Sequence, residues 1–594
     1  MPLRAFEPVA LGGESMLAAD WAGTAVVRDS GPRDWGQAAF SIESVKDAQT
    51  ERFSQVVRAT TSKRYPDYWL AEIALPTERA IAKGDTLWMR LWFRTISAEN
   101  EQREAELCVY FQQKDSPWGK SVVHRVSVGP EWTQLELPFT TQHNQPAGEA
   151  TLNLGLGFRP QVIEIAGVEL WRFPKTVPLA QLPRTRYTYE GRAADAAWRA
   201  QAIERIKKIR TTPLVVEVRG ADGKPVPNAT VVVNQTRNAF QFGTSVDSAM
   251  IMNKTPDAQR YRRALLENFN TAVIENGFKW QRWAPNQPKG RWPRAETIAA
   301  FDWLSAQNLR LRGHTLVWPG WKYTPEEFRP PALTDAATLS KAIDQHIVDL
   351  MNVTKGKLDS WDVVNEPLHE RDYFTLLPET EAMAGWYKLA KKTDPKPRLF
   401  LNDYDMLTGG TSRETVQSIL EKVAALRAAG APVEGLGVQG HFGQAILGPE
   451  RILADLDLLA SAGLPVLITE FDINTPDEEV LGDFTRDFLL ACYSHPAVAG
   501  VITWGFWEKN HWLPQAAMFR PDWSERPNAA AWRSLVNEAW NSRSTGKTDA
   551  SGSFTSTVHH GDYEVSVRAD KRATTTPSKV TVSASAAKVI ITLP

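Results

Sequence analysis

The chain has 594 residues, 43% of them hydrophobic, which is too many for one ordinary domain and enough for several packed cores. Its 68 Lys and Arg offset 69 Asp and Glu to a formal charge of −1, so the basic excess of a nucleic-acid partner is absent. No apolar run reaches membrane-spanning length, and no membrane partner is expected.

Met1 to Asp20 lacks a basic segment leading into a continuous apolar stretch, so no signal peptide is expected there. Cys108 and Cys492, the only cysteines, are expected to be buried free thiols rather than a disulfide or metal site. The first third reads as all-β. Leu87, Met89, Leu91 and Phe93 alternate with Trp88, Arg90 and Trp92, and the pattern recurs at 105–111, 135–139 and 152–158. Period-two runs between turn-rich segments predict a β-sandwich over 1–175. The run from Gly129 through Trp132 to Phe139, followed by 163–170, resembles the closing strands of jelly-roll carbohydrate-binding modules. That resemblance implies a module able to present rings to a glycan, with Trp35, Tyr65, Tyr68, Trp69 and Trp118 as candidates.

A Pro-rich connector and a helix with Trp198, Ala202, Ile206 and Ile209 on one face occupy 176–212. Two strands follow within 213–237, and the last segment, 546–594, is again β. The strings VEVRGADGKPVPNATVVV and GKTDASGSFTSTVHHGDYEVSV resemble the opening and the continuation of small carboxypeptidase-regulatory-like sandwiches. The two segments are therefore expected to form one split sandwich, with a central domain of 238–545 inserted between them. That domain alternates candidate strands at 240–246, 271–274, 310–318, 360–366, 398–403, 435–440, 465–472 and 500–506 with helices. Eight strand–helix repeats predict a (β/α)8 TIM barrel, whose reactive side chains stand at the C-terminal strand ends.

Two apolar strands end in a carboxylate there: Trp361-Asp362-Val363-Val364-Asn365-Glu366 and Val466-Leu467-Ile468-Thr469-Glu470-Phe471-Asp472. Paired carboxylates flanking a glycosidic bond are what its hydrolysis needs, about 5–5.5 Å apart for retention and about 6.5–9.5 Å for inversion. Across the mouth of a small barrel, strands four and seven suit the shorter separation. A Trp-flanked, apolar surrounding would keep Glu366 protonated as the acid. Glu470 is the expected nucleophile, ionised by His441 of Gln439-Gly440-His441, which Asp472 would orient. The Asn365 amide is placed to bond a sugar 2-hydroxyl. The chemistry calls for no metal and no cofactor.

With these residues in place, the central domain resembles glycoside hydrolase family 10, the β-1,4-xylanases. Glu275-Asn276 and Lys279-Trp280 match the family's ENxxKW element, which implies that Glu275, Asn276 and Lys279 bind the glycone sugar. Arg312-Gly313-His314-Thr315-Leu316-Val317-Trp318 matches its third-strand motif, implying that His314 and Trp318 line the sugar site. Asn402-Asp403-Tyr404 is similar to its fifth strand, and Gln439 with His441 to its sixth. The string 468–472 matches the nucleophile motif, with Phe471 where leucine is usual, and Trp504 and Trp512 resemble the two indoles that wall the cleavage site. The resemblance thus implies a retaining endo-β-1,4-xylanase acting on xylan or xylo-oligosaccharides. A polymeric substrate implies a secreted, periplasmic or cell-surface location. Pro319 and Trp321 replace a histidine and a glutamine usual after the third-strand Trp, which makes Trp321 a candidate stacking wall. The alternatives are a β-glycosidase acting on cello-oligosaccharides or a decorated glycan, and a non-catalytic glycan-binding protein.

Overall fold

The computed structural model describes residues 6–31, 39–46, 53–100, 102–284, 293–333, 335–408, 412–569, 577–585 and 587–593. Trp35 lies outside the described residues. The N-terminal third is a sandwich of two antiparallel sheets. One orders Phe40–Val45, Val56–Thr61, Gln161–Phe173, Thr86–Ala98 and Thr133–Thr140; the other orders Val26–Asp29, Ala71–Pro76, Ala150–Gly155, Ala105–Gln113 and Lys120–Val128. The alternation explains the packing. Leu87, Met89, Leu91 and Phe93 face Leu107, Val109, Phe111, Leu152 and Leu154 in one core, while Trp88 turns the other way onto Phe173 and Leu182. Cys108 and Cys492 are both buried and free.

The segment after the sandwich is fastened to the barrel. Its helix Ala197–Arg210 buries Trp198, Ala202 and Ile206. Tyr189 donates to Asp487 at 2.9 Å, and Arg199 and Arg192 pair with Asp487 and Asp483 at 2.8 Å. Both aspartates sit on the helix Glu478–Ser494, which follows the seventh barrel strand. Asp487 is wholly buried and also accepts from Arg486 at 2.8 Å, so two guanidinium groups compensate its charge in the interior.

The small sandwich is indeed split. Thr211–Arg219 pairs antiparallel with Ser553–His559 and parallel with Ala587–Thr592, and Thr230–Asn238 pairs with Arg543–Lys547 and Gly561–Arg568. Between its halves, eight parallel strands close a barrel: Gln241–Val246, Thr271–Ile274, Arg310–Gly313, Ser360–Asn365, Arg398–Asp403, Gly435–Val438, Val466–Ile473 and Val498–Thr503. Both faces of these strands are covered, and the seventh is buried at every residue, hence its nearly unbroken apolar sequence.

Three strands differ from the expected spans by more than one residue. The third ladder stops at Gly313, because the Leu316 and Val317 amides leave the regular register to bond the Asp362 and Val363 carbonyls. The sixth breaks at Gly440, whose φ of 79° bends the chain before the short strand His441–Phe442. The eighth runs Val498–Thr503 and ends short of Gly505, where φ is 110°.

Candidate functional site

Parallel register sets the site. Asn365 lies beside Asn402 on the fourth and fifth strands, Asn402 beside Gly437 on the sixth, and His441 beside Asp472 on the seventh. Polar side chains at one level of the barrel mouth therefore meet. Gly437 is needed for this closeness, since a Cβ there would stand 2.3 Å from the Asn402 side-chain oxygen.

Asn402 is the junction. Its Nδ2 donates to Asn365 Oδ1 at 2.7 Å and to Glu470 Oε1 at 2.9 Å, while its Oδ1 accepts from the Thr469 hydroxyl at 2.7 Å. Asn365 Nδ2 donates in turn to Glu366 Oε1 at 3.1 Å. Hydrogen bonds from two side-chain amides therefore link the two glutamates. Glu366 also accepts from Trp318 Nε1 at 2.9 Å and from Gln439 Nε2 at 2.7 Å. Its surroundings thus differ from the apolar ones expected: Trp318 meets it through its N–H, and two side-chain amides add polar donors. Glu366 has a φ of 56°, a region disfavoured for residues with a Cβ, and is held there by its own amide on the Asn402 carbonyl at 2.7 Å. Strained backbone of this kind concentrates where side-chain aim matters.

Glu470 meets a different field. His441 bonds Asp472 through Nδ1 at 2.9 Å and Glu470 through Nε2 at 3.4 Å, and Trp512 Nε1 holds the other Asp472 oxygen at 2.7 Å. Burial alone would discharge His441, but the Asp472 carboxylate and the bonds to both acids raise its pKa to about 10. Burial alone would likewise raise Glu470. The His441 bond and the nearby His314, His441 and Lys279 charges prevail and lower it to about 2. At neutral pH the pair is imidazolium and carboxylate.

Glu275, Asn276, Lys279, His314, Trp318, Gln439, His441, Trp504 and Trp512 line this mouth with the two glutamates. Lys279 Nζ donates to Asn276 Oδ1 at 3.1 Å and stands over the Trp318 ring at 5.3 Å, and Glu275 lines the same wall. His314 Nδ1 bonds Asp362, which also holds the buried Arg312. Trp504 crosses His314 edge-on at 5.1 Å. Trp321 is a correction to the expected stacking wall: its amide is held by Asp372 at 2.7 Å and its ring packs on Tyr373. Tyr323, two residues on, lines the cleft and stacks on Trp318 at 3.4 Å. The bridging role of Asn402 is not among the sequence expectations, which reach only the Asn402-Asp403-Tyr404 string.

These side chains line a cleft of about 940 Å³ whose opposite wall comes from the N-terminal sandwich, including Tyr68, Trp69 and Arg159. Tyr65, offered as a sugar platform, is 3% exposed and donates its hydroxyl to Asp29 at 3.0 Å, the contacts of a packing residue.

The sequence model of the family described as Glycosyl hydrolase family 10 matches residues 232–535, just over half of the chain. Anti-sigma-I factor RsgI6 of Acetivibrio thermocellus is 31% identical over 388 residues, covering 65% of this chain and 48% of that protein. Endo-1,4-beta-xylanase 1 of Arabidopsis thaliana is 31% identical over 374 residues, covering 63% and 38%. The chain thus spans about half, or less, of the length of these relatives. Among solved structures, xylanase 10B from Thermotoga petrophila in complex with xylobiose is 22% identical over 51% of this chain and 95% of that one, with a TM-score of 0.45.

Proposed function

Because the chain belongs to glycosyl hydrolase family 10, we propose that it cleaves internal β-1,4-xylosidic bonds of xylan with net retention, in two displacements. The observation that carries the reading is the asymmetry of the two acids. Glu470 is ionised by an imidazolium that Asp472 fixes, whereas Glu366 accepts from the neutral Trp318, Gln439 and Asn365 side chains. Two carboxyls in such unlike surroundings divide acid and nucleophile between them.

In the first step a Glu470 oxygen attacks the anomeric carbon. The bond to the leaving oxygen breaks, and Glu366 delivers its proton to that oxygen, leaving a glycosyl ester. In the second step Glu366, now a carboxylate, takes a proton from water, whose oxygen displaces Glu470 from the same carbon. Asn365, fixed by Asn402, would bond the 2-hydroxyl, a hydrogen bond that strengthens as positive charge builds on the ring. Trp318, Trp504, Tyr323 and Lys279 line the cleft and would seat the sugar. The endo-xylanase names of several relatives support the substrate class.

The experiment is a pair of variants on a pair of substrates. Glu366→Ala is expected to lower kcat on xylan by about 100- to 10,000-fold, the usual worth of a general acid. The same variant should keep far more of its rate on an aryl xylobioside whose leaving group needs no proton, and azide should restore its turnover as the β-azide. Glu470→Ala should be inactive on both substrates. Near-native hydrolysis by either variant would overturn the roles. Products built from glucose rather than xylose, measured on soluble cellulose beside xylan, would favour the cello-oligosaccharide reading.

A further inference from the structure

The N-terminal sandwich does not stand apart from the barrel. Glu104 of the sandwich is buried, and its carboxylate accepts from the Gln444 and Ala445 amides, both at 2.8 Å, in the loop after the short strand that carries His441. The Arg159 guanidinium lies 5.5 Å from the ring of Trp512, the indole whose N–H holds Asp472. With the connector bound to Asp483 and Asp487, the sandwich is pinned at two places against the face that bears the glutamates.

The consequence is one continuous cleft, with Glu366 and Glu470 on one side and Tyr68, Trp69, Gln102 and Phe158 of the sandwich on the other. Trp69 is 46% exposed beside Tyr68, which crosses it edge-on at 4.8 Å. A large indole kept partly in water at a cleft wall suits the flat, apolar face of a pyranose. Gln102 adds an independent sign. It is 6% exposed, and among the described residues its Nε2 has no hydrogen-bond partner. A buried donor left unpaired on a cleft wall is a costly arrangement that a ligand hydroxyl relieves.

We infer that the sandwich supplies a distal sugar-binding subsite to the barrel's own cleft, centred on Trp69 and Gln102, which binds the continuing main chain of a β-linked xylo-oligosaccharide too long for the barrel alone. The inference rests on the proposed activity for the identity of the sugar, while the subsite itself stands on the shared cleft. A short substrate is held by barrel residues only, and a long one by both domains at once.

Binding separates the two readings. The full-length Glu470→Gln chain, stalled for hydrolysis, is titrated with xylobiose and with xylohexaose, with and without Trp69→Ala. Trp69→Ala should weaken xylohexaose about tenfold, a factor within the range of one well-placed aromatic contact, and leave xylobiose unchanged. Gln102→Leu should also weaken xylohexaose alone. Trp118→Ala is the control, because Trp118 is 55% exposed in the same sandwich but is not among the described residues lining the cleft. Equal affinities for xylohexaose with and without Trp69, or an equal loss in the Trp118 control, would overturn the distal subsite. If the length-dependent loss is found while the native chain fails to hydrolyse xylan, the subsite stands and the proposed activity falls. No binding of either sugar by the parent chain overturns both.

Discussion

His441 decides the state of the catalytic mouth, because both of its nitrogens end on carboxylates and only the doubly protonated ring can donate to both. Its pKa is raised to about 10 from 6.5, so its contribution to stability is complete below pH 6.5 and is lost as the pH climbs through 10. Glu470, lowered to about 2 from 4.5, contributes above pH 4.5 and loses that contribution as the pH falls through 2. The two windows overlap between pH 4.5 and 6.5, where each group is fully in its native charge state and stability from this pair is maximal. Replacing His441 by alanine leaves the burial of Glu470 without its first counterweight, so the carboxyl regains a proton more readily. His441→Ala is therefore expected to move the acid limb of kcat/KM upward by about one pH unit or more. At neutral pH it should cost roughly 100-fold in kcat, the scale of losing one fixed charge-stabilising donor. A pH–rate profile checks this, and an acid limb that stays in place would show that Glu470 does not depend on the imidazolium.

At the scale of the strand, the sixth is built around one bend. Gly440 takes a φ of 79°, and a Cβ there would lie 3.0 Å from the Ile468 side chain on the seventh strand. Gly440→Ala should thus cost about 1–2 kcal/mol of stability from left-handed backbone alone, read as a lower urea midpoint with unchanged slope. It should also lower kcat, because Gln439 and His441 flank the bend and each touches one glutamate. An unchanged midpoint would mean that the strand passes this point without needing glycine. The bend also marks the limit of what the sequence discloses. Buried parallel strands write themselves as apolar runs, so eight strands and both terminal carboxylates are legible. The bridging role of Asn402 is not, because it depends on the register of three neighbouring strands rather than on any run. Nor is the choice of Tyr323 over Trp321 as the ring in the cleft. It is set by Asp372 and Tyr373, some fifty residues on, which hold Trp321 down. The meeting of Arg159 with Trp512 joins two domains and leaves no local pattern in either.

Over the whole molecule, the barrel is inserted within another domain, and this governs what truncation does. The strand Thr211–Arg219 lies between Ser553–His559 and Ala587–Thr592, so the core of Leu214, Val216, Val218, Val231 and Val233 is closed by residues from the far end of the chain. All five side chains are at most 1% exposed, and uncovering such residues costs about 1.5–3 kcal/mol each. The sandwich also touches the barrel: His559 bonds the Tyr493 hydroxyl at 2.9 Å, and the His560 amide bonds the Arg210 carbonyl at 2.9 Å. Arg210 in turn donates to the Tyr493, His495 and Val498 carbonyls at the start of the eighth strand. Ending the chain after Lys547 should therefore do more than remove an appendage. It exposes one apolar sheet face and releases the clamp below the eighth strand. The shortened protein is expected to aggregate or to melt at least about 10 °C below the full chain, since the lost burial exceeds the few kcal/mol that such a shift represents. Residual activity should fall with the folded fraction, while KM for a short aryl xylobioside stays the same, because the catalytic mouth lies at the opposite end of the strands. A truncated chain with the full melting temperature would mean that the barrel and the first half of the sandwich are complete without residues 548–594.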